Sequence, residues 1–484
     1  MLLRMDLTTL RPRIDEVWDD EIVPTLTEYI RIPNVSPAYD EGWAAAGYMD
    51  RAVDLARDWI ERRAIDGLVV EVLQLEGRTP LLLVEVPATG DPASSEPDSS
   101  DRPTDTVLLY GHLDKQPPMT GWRDGLGPWE PVIADGRLYG RGGADDGYAG
   151  FAALTAIEAV RASGGSHARC VVLIECSEES GSPDLPAHLD QIGDRLGTPS
   201  LVVCLDSGCA TYDRLWVTTS LRGVLVGRLR VDVLTEGVHS GSAGGVVPSS
   251  FRVLRRLLDR IEDPDTGRIL LPDLHSEIPA ERRQAVVDAA DDLDVEVQTF
   301  PYAGTTEPAS DDPVARQLAR TWEPSLALTG MDGIPPGAQA GAVLRPFTSA
   351  VLSIRLPPRI DPDAAGVAVG AALEADPPHG AQVRFTVHEG APGWDAPATA
   401  PWLANVLEAA SQAEFGQPVG RMGEGGTIPF MAMLGHRFPD AQFMVTGVLG
   451  PASNAHGPNE FLDLETGRRV TAAVAHVLDA HARR

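Results

Sequence analysis

The chain has 484 residues, too many for one simple core, and its 43% hydrophobic and 23% charged content is that of an ordinary globular protein. These values exclude a disulfide-stapled miniature and a globally disordered chain. With 40 basic against 70 acidic residues the net charge is −30, so nucleic acids and anionic membrane surfaces are not expected as partners.

Arg4 and Asp6 interrupt the apolar N-terminus, and no apolar run reaches the roughly 18 residues of a membrane span. An untargeted cytoplasmic protein is expected. Apolar positions at helical spacing predict surface helices over 13–31 and 43–64. Short β-rich runs follow at 68–75, 81–86, 106–110, 170–175 and 201–205, with a helical stretch over 150–162. Strands alternating with helices predict an α/β fold, a mixed, largely parallel sheet flanked by helices. The Ser-, Asp- and Pro-rich segment 88–105 reads as a mobile surface loop. Cys170, Cys176, Cys204 and Cys209 lack CxxC spacing and read as reduced, buried small hydrophobes.

From about residue 219 the texture changes to strands alternating apolar and polar residues, with a helix near 249–262, a polar helical stretch near 278–293, and strands at 350–356 and 382–388. This predicts an inserted α+β unit. A helix over 401–415 and the strand AQFMVTGVLG then resume the first unit. The expected division is a catalytic domain from 1–218 and 390–484, with an inserted lid over 219–389.

Four acid-bearing segments end apolar strands or open helices: Gly111-His112-Leu-Asp114, Gly140-Arg-Gly-Gly-Ala-Asp145-Asp146, Glu175-Cys-Ser-Glu178-Glu179, and Cys204-Leu-Asp206-Ser-Gly. The carboxyl ends of parallel strands are where ligands collect, so the four describe one site. Carboxylates brought together repel and rise in pKa unless a cation sits among them. A fifth segment, Asn454-Ala-His456-Gly-Pro-Asn-Glu460, offers a further imidazole from the returning part of the chain.

In that order and at those spacings, the five segments resemble the M20 family of metallopeptidases, in its carnosinase-like dipeptidase branch. The resemblance covers essentially the whole chain. It implies two divalent metal ions, with His112 and Asp206 on one, Glu179 and His456 on the other, and Asp145 bridging. It makes Asp114 the residue that orients His112, and Glu178 the general base. The His and carboxylate ligand set suits Zn²⁺, with Mn²⁺ or Co²⁺ as alternatives. The resemblance further implies a cis bond between Asp145 and Asp146, an oxyanion-stabilising role for His239 in TEGVHSG, and a grip by Arg355 on the substrate's C-terminal carboxylate. Gly426 and Thr427 in EGGTIP would line the substrate pocket.

The lid is expected to make a homodimer, through an exposed strand edge in the segment leading to TEGVHSG, and His239 to act in the partner's site. Ala342 stands where this branch often has a threonine, and Lys115 where an apolar residue is more usual. The implied reaction is amide hydrolysis in dipeptides or short peptides. The alternatives are an N-acyl amino acid deacylase on the same scaffold and a metal-free binding protein.

Overall fold

The computed structural model describes residues 5–89 and 105–484. Residues 90–104, most of the stretch expected to form a surface loop, lie outside them.

The central sheet has six strands in the order Val69–Leu73, Leu81–Val86, Arg169–Glu175, Asp105–His112, Thr198–Cys204, Gln442–Val445. The first two pairings are antiparallel and the last three parallel. Side chains alternate across a strand, and here both faces are buried. Val107 and Leu109 face one core together with Val172 and Val203, while Leu108 and Tyr110 face another with Val171 and Val202. Helices Leu7–Val17, Tyr48–Glu61, Ala149–Ala162, Pro401–Glu414 and Leu464–His481 supply the first core. Leu185–Ile192 and Pro429–Arg437 supply the second.

The N-terminal helix starts earlier than its apolar spacing indicates, at Leu7, because Asp6 accepts the Thr8 N–H at 2.9 Å as an N-cap. Helical turns continue through a wider turn at Trp18–Ile22 to Ile30. The helix expected over 43–64 divides at Gly47, whose φ is +66°. Of AQFMVTGVLG, Gln442–Val445 forms the strand; just past it the Thr446 N–H donates to the Cys204 carbonyl at 2.9 Å and its hydroxyl to the Trp216 carbonyl at 2.7 Å.

A second, antiparallel sheet is ordered Ser325–Asp332, Phe347–Leu356, Gly223–Asp232, Gln382–Ala391. Helices Ser250–Leu258 and Pro362–Glu374 share its core. The strand leading to TEGVHSG, Gly223–Asp232, is paired on both sides and has no free edge, contrary to expectation. The outer strands are Ser325–Asp332 and Gln382–Ala391. The stretch near 278–293 is helical as read, over Ala280–Asp288 and Ala290–Gln298. Those helices and Pro313–Thr321 bury Val286, Leu293 and Leu318 with Cys209, Trp216 and Met422. All four cysteines are buried and unpaired. No helix among the described residues is long and apolar enough to cross a membrane.

Candidate metal centre

Parallel pairing aligns the C-terminal ends of Asp105–His112, Arg169–Glu175 and Thr198–Cys204, so His112, the Glu178–Glu179 turn and Asp206 emerge at one rim. Asp145 reaches it from the turn Gly143–Gly147, just ahead of helix Ala149–Ala162. The Asp145–Asp146 bond is cis. Gly111 permits the approach, because a Cβ there would lie 2.8 Å from the Ala149 Cβ and 3.0 Å from Asp146 Oδ2.

Two groups of three share Asp145: His112, Asp145 and Asp206, and Asp145, Glu179 and His456, with ligand atoms in each group within 4.8 Å of one another. His112 Nε2 lies 3.4 Å from Asp145 Oδ1 and 3.7 Å from Asp206 Oδ2. His456 Nε2 lies 3.1 Å from Asp145 Oδ2 and 3.4 Å from Glu179 Oε2. Glu178 belongs to neither group, yet its Oε2 is 3.9 Å from His112 Nε2. His112 Nδ1 lies 3.1 Å from the Asp114 backbone oxygen and 3.5 Å from its carboxylate. The same carboxylate accepts the backbone N–H groups of Glu178 and Glu179 at 3.1 and 3.0 Å. Asp114 thus orients the imidazole and the two glutamates together.

Burial and the charges of neighbours set the electrostatics. Burial, then Asp206, pushes Glu178 well above the usual carboxylate range; burial, then Asp145, does the same to Glu179. Asp206 is pushed up to about 7 by burial, with Asp145 and Glu424 adding to the rise. Burial opposes the charged forms of both histidines, but the neighbouring carboxylates of Asp114, Asp145 and Asp206 hold His112 well above its ordinary value. Asp145 and Glu179 hold His456 at about 9. His112 Nε2 is buried without a hydrogen-bond partner. A crowd of buried carboxylates around an unpartnered imidazole nitrogen fits divalent cations, as does a donor set of imidazole and carboxylate without thiolate.

Arg355, inside Phe347–Leu356, donates to the Thr427 hydroxyl at 3.2 Å, and Thr427 donates to the Arg222 carbonyl at 2.6 Å. Arg355 and Gly426 line a cavity of about 1240 Å³ that begins beside the metal centre, at Gly208 and Ala455. His239 is not brought there. It is exposed on a two-stranded ribbon, where His239 pairs with Val343, and it makes no hydrogen bond or ion pair with the metal-centre residues. Ala342 accepts the Ser240 N–H at 2.9 Å on the same ribbon.

Three residues escaped the sequence reading although they lie within its motifs. Arg141 donates to the carbonyls of His456 and Gly457 at 3.0 and 2.8 Å and pairs with Glu460. Glu460 also accepts the Gly142 N–H at 2.8 Å, which joins the Asp145 turn to the His456 loop. Glu424 braces the turn after Asp206. A charged residue between glycines, as Arg141 is, was the available signal.

The chain is 29% identical over 380 residues to the cysteinylglycine-S-conjugate dipeptidase of Corynebacterium striatum, covering 77% of this chain and 80% of that one. It is 26% identical over 460 residues to the human Beta-Ala-His dipeptidase, covering 86% and 82%. The fold matches the solved structure of the dipeptidase Dug1p from Saccharomyces cerevisiae with a TM-score of 0.76 at 21% identity, over 99% of both chains. Human carnosine dipeptidase 1 matches with a TM-score of 0.76 at 23% identity, also over 99% of both. The model of peptidase family M20/M25/M40 matches residues 108–480, from the strand that presents His112 through to the last helix, and the chain belongs to that family.

Proposed function

We propose that this chain hydrolyses the peptide bond of dipeptides or short peptides with a free C-terminal carboxylate, using two divalent cations. The observation that carries this reading is the shared position of Asp145 between two ligand groups, with Glu178 beside them but in neither. The dipeptidase names of relatives covering most of the chain support it.

His112 and Asp206 would hold one cation, Glu179 and His456 the other, and Asp145 both; Zn²⁺ suits this set, and Mn²⁺ or Co²⁺ also fit. When bound, such a pair lowers the pKa of a water toward about 7 and polarises the scissile carbonyl. Glu178 takes the proton of the attacking water and returns it to the leaving amine. Asp114, through the amides of Glu178 and Glu179, keeps that carboxylate at working distance. Arg355, held by Thr427, meets the substrate's terminal carboxylate, and the backbone at Gly426 flanks it. Residues 219–389 act as a lid on a catalytic domain made from 1–218 and 390–484. Pairing of two lids makes a cytoplasmic homodimer and lets His239 serve the partner's site.

The test is Glu178→Gln. It is expected to retain two metal equivalents and to lose turnover by about 10³-fold or more, because the base is not a ligand. Substantial activity in that variant would remove Glu178 from the mechanism. A panel of dipeptides, N-acyl amino acids and ureido acids with each metal separates peptidase from deacylase.

A further inference from the structure

Six arginines line the cavity beside the metal centre, in a chain whose net charge is −30. Four of them are committed. Arg316 pairs with Asp294, and Arg320 with Glu296 at 2.6 Å. Arg222 donates to the carbonyls of Ala319, Glu323 and Gly425, and Arg355 is held by Thr427 for the terminal carboxylate. The guanidiniums of Arg123 and Arg137 form neither an ion pair nor a hydrogen bond among the described residues. They lie over aromatic rings instead, Arg123 Cζ 5.5 Å from the Tyr139 centroid and Arg137 Cζ 4.3 Å from that of Phe461. A guanidinium stacked on a ring keeps its planar fork of N–H donors for an anion.

The two belong to one wall. Arg137 opens the strand Arg137–Tyr139, which pairs with Phe461–Asp463 so that Tyr139 faces Phe461, their centroids 5.4 Å apart. Residues two apart on a strand share a face, which puts Arg137 on the side of those rings. Arg123 is tied to the His456 loop, its N–H donating to Asn459 Oδ1 at 2.7 Å. Phe461 follows that loop directly, and the Gly140 N–H, one residue past Tyr139, donates to the Glu460 carbonyl at 3.0 Å. Both arginines thus stand on the wall that carries His456, while Arg355 stands on the wall of Gly425 and Gly426.

The nearest carboxylates are otherwise engaged. Asp463, opposite Arg137 in the ladder, caps the last helix, its Oδ1 accepting the Thr466 N–H at 3.0 Å and hydroxyl at 2.9 Å. On the cavity wall Glu296 is paired, Glu424 accepts from Ser207, Gly208 and Thr218, and Glu307 is exposed on the segment between helices Ala290–Gln298 and Pro313–Thr321. A dipeptide with its terminal carboxylate at Arg355 and its scissile carbonyl at the metal centre has one arm left, the side chain of its first residue, and the His456 wall is left to receive it.

We propose that Arg123 and Arg137 form a subsite for a carboxylate on the side chain of the substrate's first residue, so that dipeptides with glutamate or aspartate ahead of the scissile bond are the preferred class. This rests on the peptidase reading above and names the substrate class within it. A positive patch inside an acidic protein also steers such substrates inward, an attraction that salt screens.

The experiment compares dipeptides that share one C-terminal residue and begin with glutamate, its neutral isostere glutamine, or lysine. Wild type is expected to prefer the glutamyl over the glutaminyl dipeptide by roughly 10-fold or more in kcat/KM, and less so as salt is raised. The double variant Arg123→Gln, Arg137→Gln should bring the two within a few-fold of each other, with the loss falling on the glutamyl substrate. Arg123 is exposed, so reversing its charge leaves the core alone. Arg123→Glu should lower the glutamyl preference and raise hydrolysis of the lysyl dipeptide, a gain that misfolding cannot produce. Equal wild-type rates on the glutamyl and glutaminyl dipeptides would overturn the proposal, as would an undiminished preference in the double variant or equal losses on both substrates. A preference that follows an acidic residue at the C-terminal position instead would place the anion at Arg355 and likewise overturn it. A wild type that cleaves N-acyl amino acids but no dipeptide refutes the peptidase reading itself, a result distinct from all of these.

Discussion

Lys115, the only lysine in the chain, follows Asp114 at a position where the resemblance leads one to expect an apolar side chain. It is fully buried, and its Nζ donates to the carbonyls of Tyr29 and Ile32, each at 2.8 Å, while lying 3.8 Å from the Tyr29 ring centroid. Tyr29 is in the last turn of the helix Val23–Ile30 and Ile32 lies just past its end, so Nζ adds a donor to the Tyr29 carbonyl, which also accepts the Ile32 N–H at 3.0 Å, and supplies one to the Ile32 carbonyl. Its stem occupies the space a Cβ on Gly142 would need, at 2.6 Å, and so packs against the turn that presents Asp145. Lys115→Met keeps the stem and removes the donor. It should cost about 2–4 kcal/mol and lower the apparent melting temperature of the metal-loaded protein by about 5 °C or more. An unshifted melt would mean the two carbonyls find other donors. This role was not legible in the sequence, because the partners are backbone oxygens more than 80 residues away, and backbone acceptors leave no side-chain signature.

Regular elements were legible where burial imposes a period, and less so where the chain leaves it. The run Val107–Tyr110 reads as a strand because both of its faces are buried, and the strand-end motifs follow from it. Cap chemistry moved the first helix to Leu7, and the packing partners of the polar helices near 280–298 depend on Trp216 and Met422, distant in sequence. The segment with His456 is the extreme case. Ala452, Asn454, His456 and Asn459 all have φ near +60°, a region that non-glycine residues occupy only under constraint. Arg141 supplies much of that constraint, donating to Pro117, His456 and Gly457 carbonyls and to the Glu460 carboxylate. Arg141→Lys cannot span four acceptors in one plane. It should therefore weaken binding of the cation proposed for Glu179 and His456 by about 10- to 100-fold while sparing the one proposed for His112 and Asp206. Competition with a chelator, resolved into two affinities, measures this. Equal weakening of both ions would mean that Arg141 supports the whole rim and not this loop.

At the scale of the molecule, one chain brings His112, Asp114, Asp145, Glu178, Glu179, Asp206 and His456 together but leaves His239 apart from them. That histidine is exposed on its ribbon and makes no hydrogen bond or ion pair with the metal-centre residues, and the second sheet has outer strands at Ser325–Asp332 and Gln382–Ala391. Unpaired strand edges favour association with a second copy, and a two-fold axis returns each exposed element of one protomer toward the other. Leu328 and Met331 on the first of these strands, and Val387 on the second, are exposed apolar side chains that such pairing would cover. His239 would then reach the partner's oxyanion, a contact worth roughly 10²-fold or more in rate. His239→Ala and Glu178→Gln should each be nearly inactive alone. Mixed under conditions that exchange subunits, they should form heterodimers in which one site has Glu178 from the first chain and His239 from the second. With random pairing, half of the dimers are mixed and each mixed dimer has one intact site of two, so activity should return to roughly a quarter of wild type. Exchange is verified independently by native mass spectrometry of differently tagged chains. Mixed dimers without regained activity would place His239 in its own protomer's chemistry, or in none.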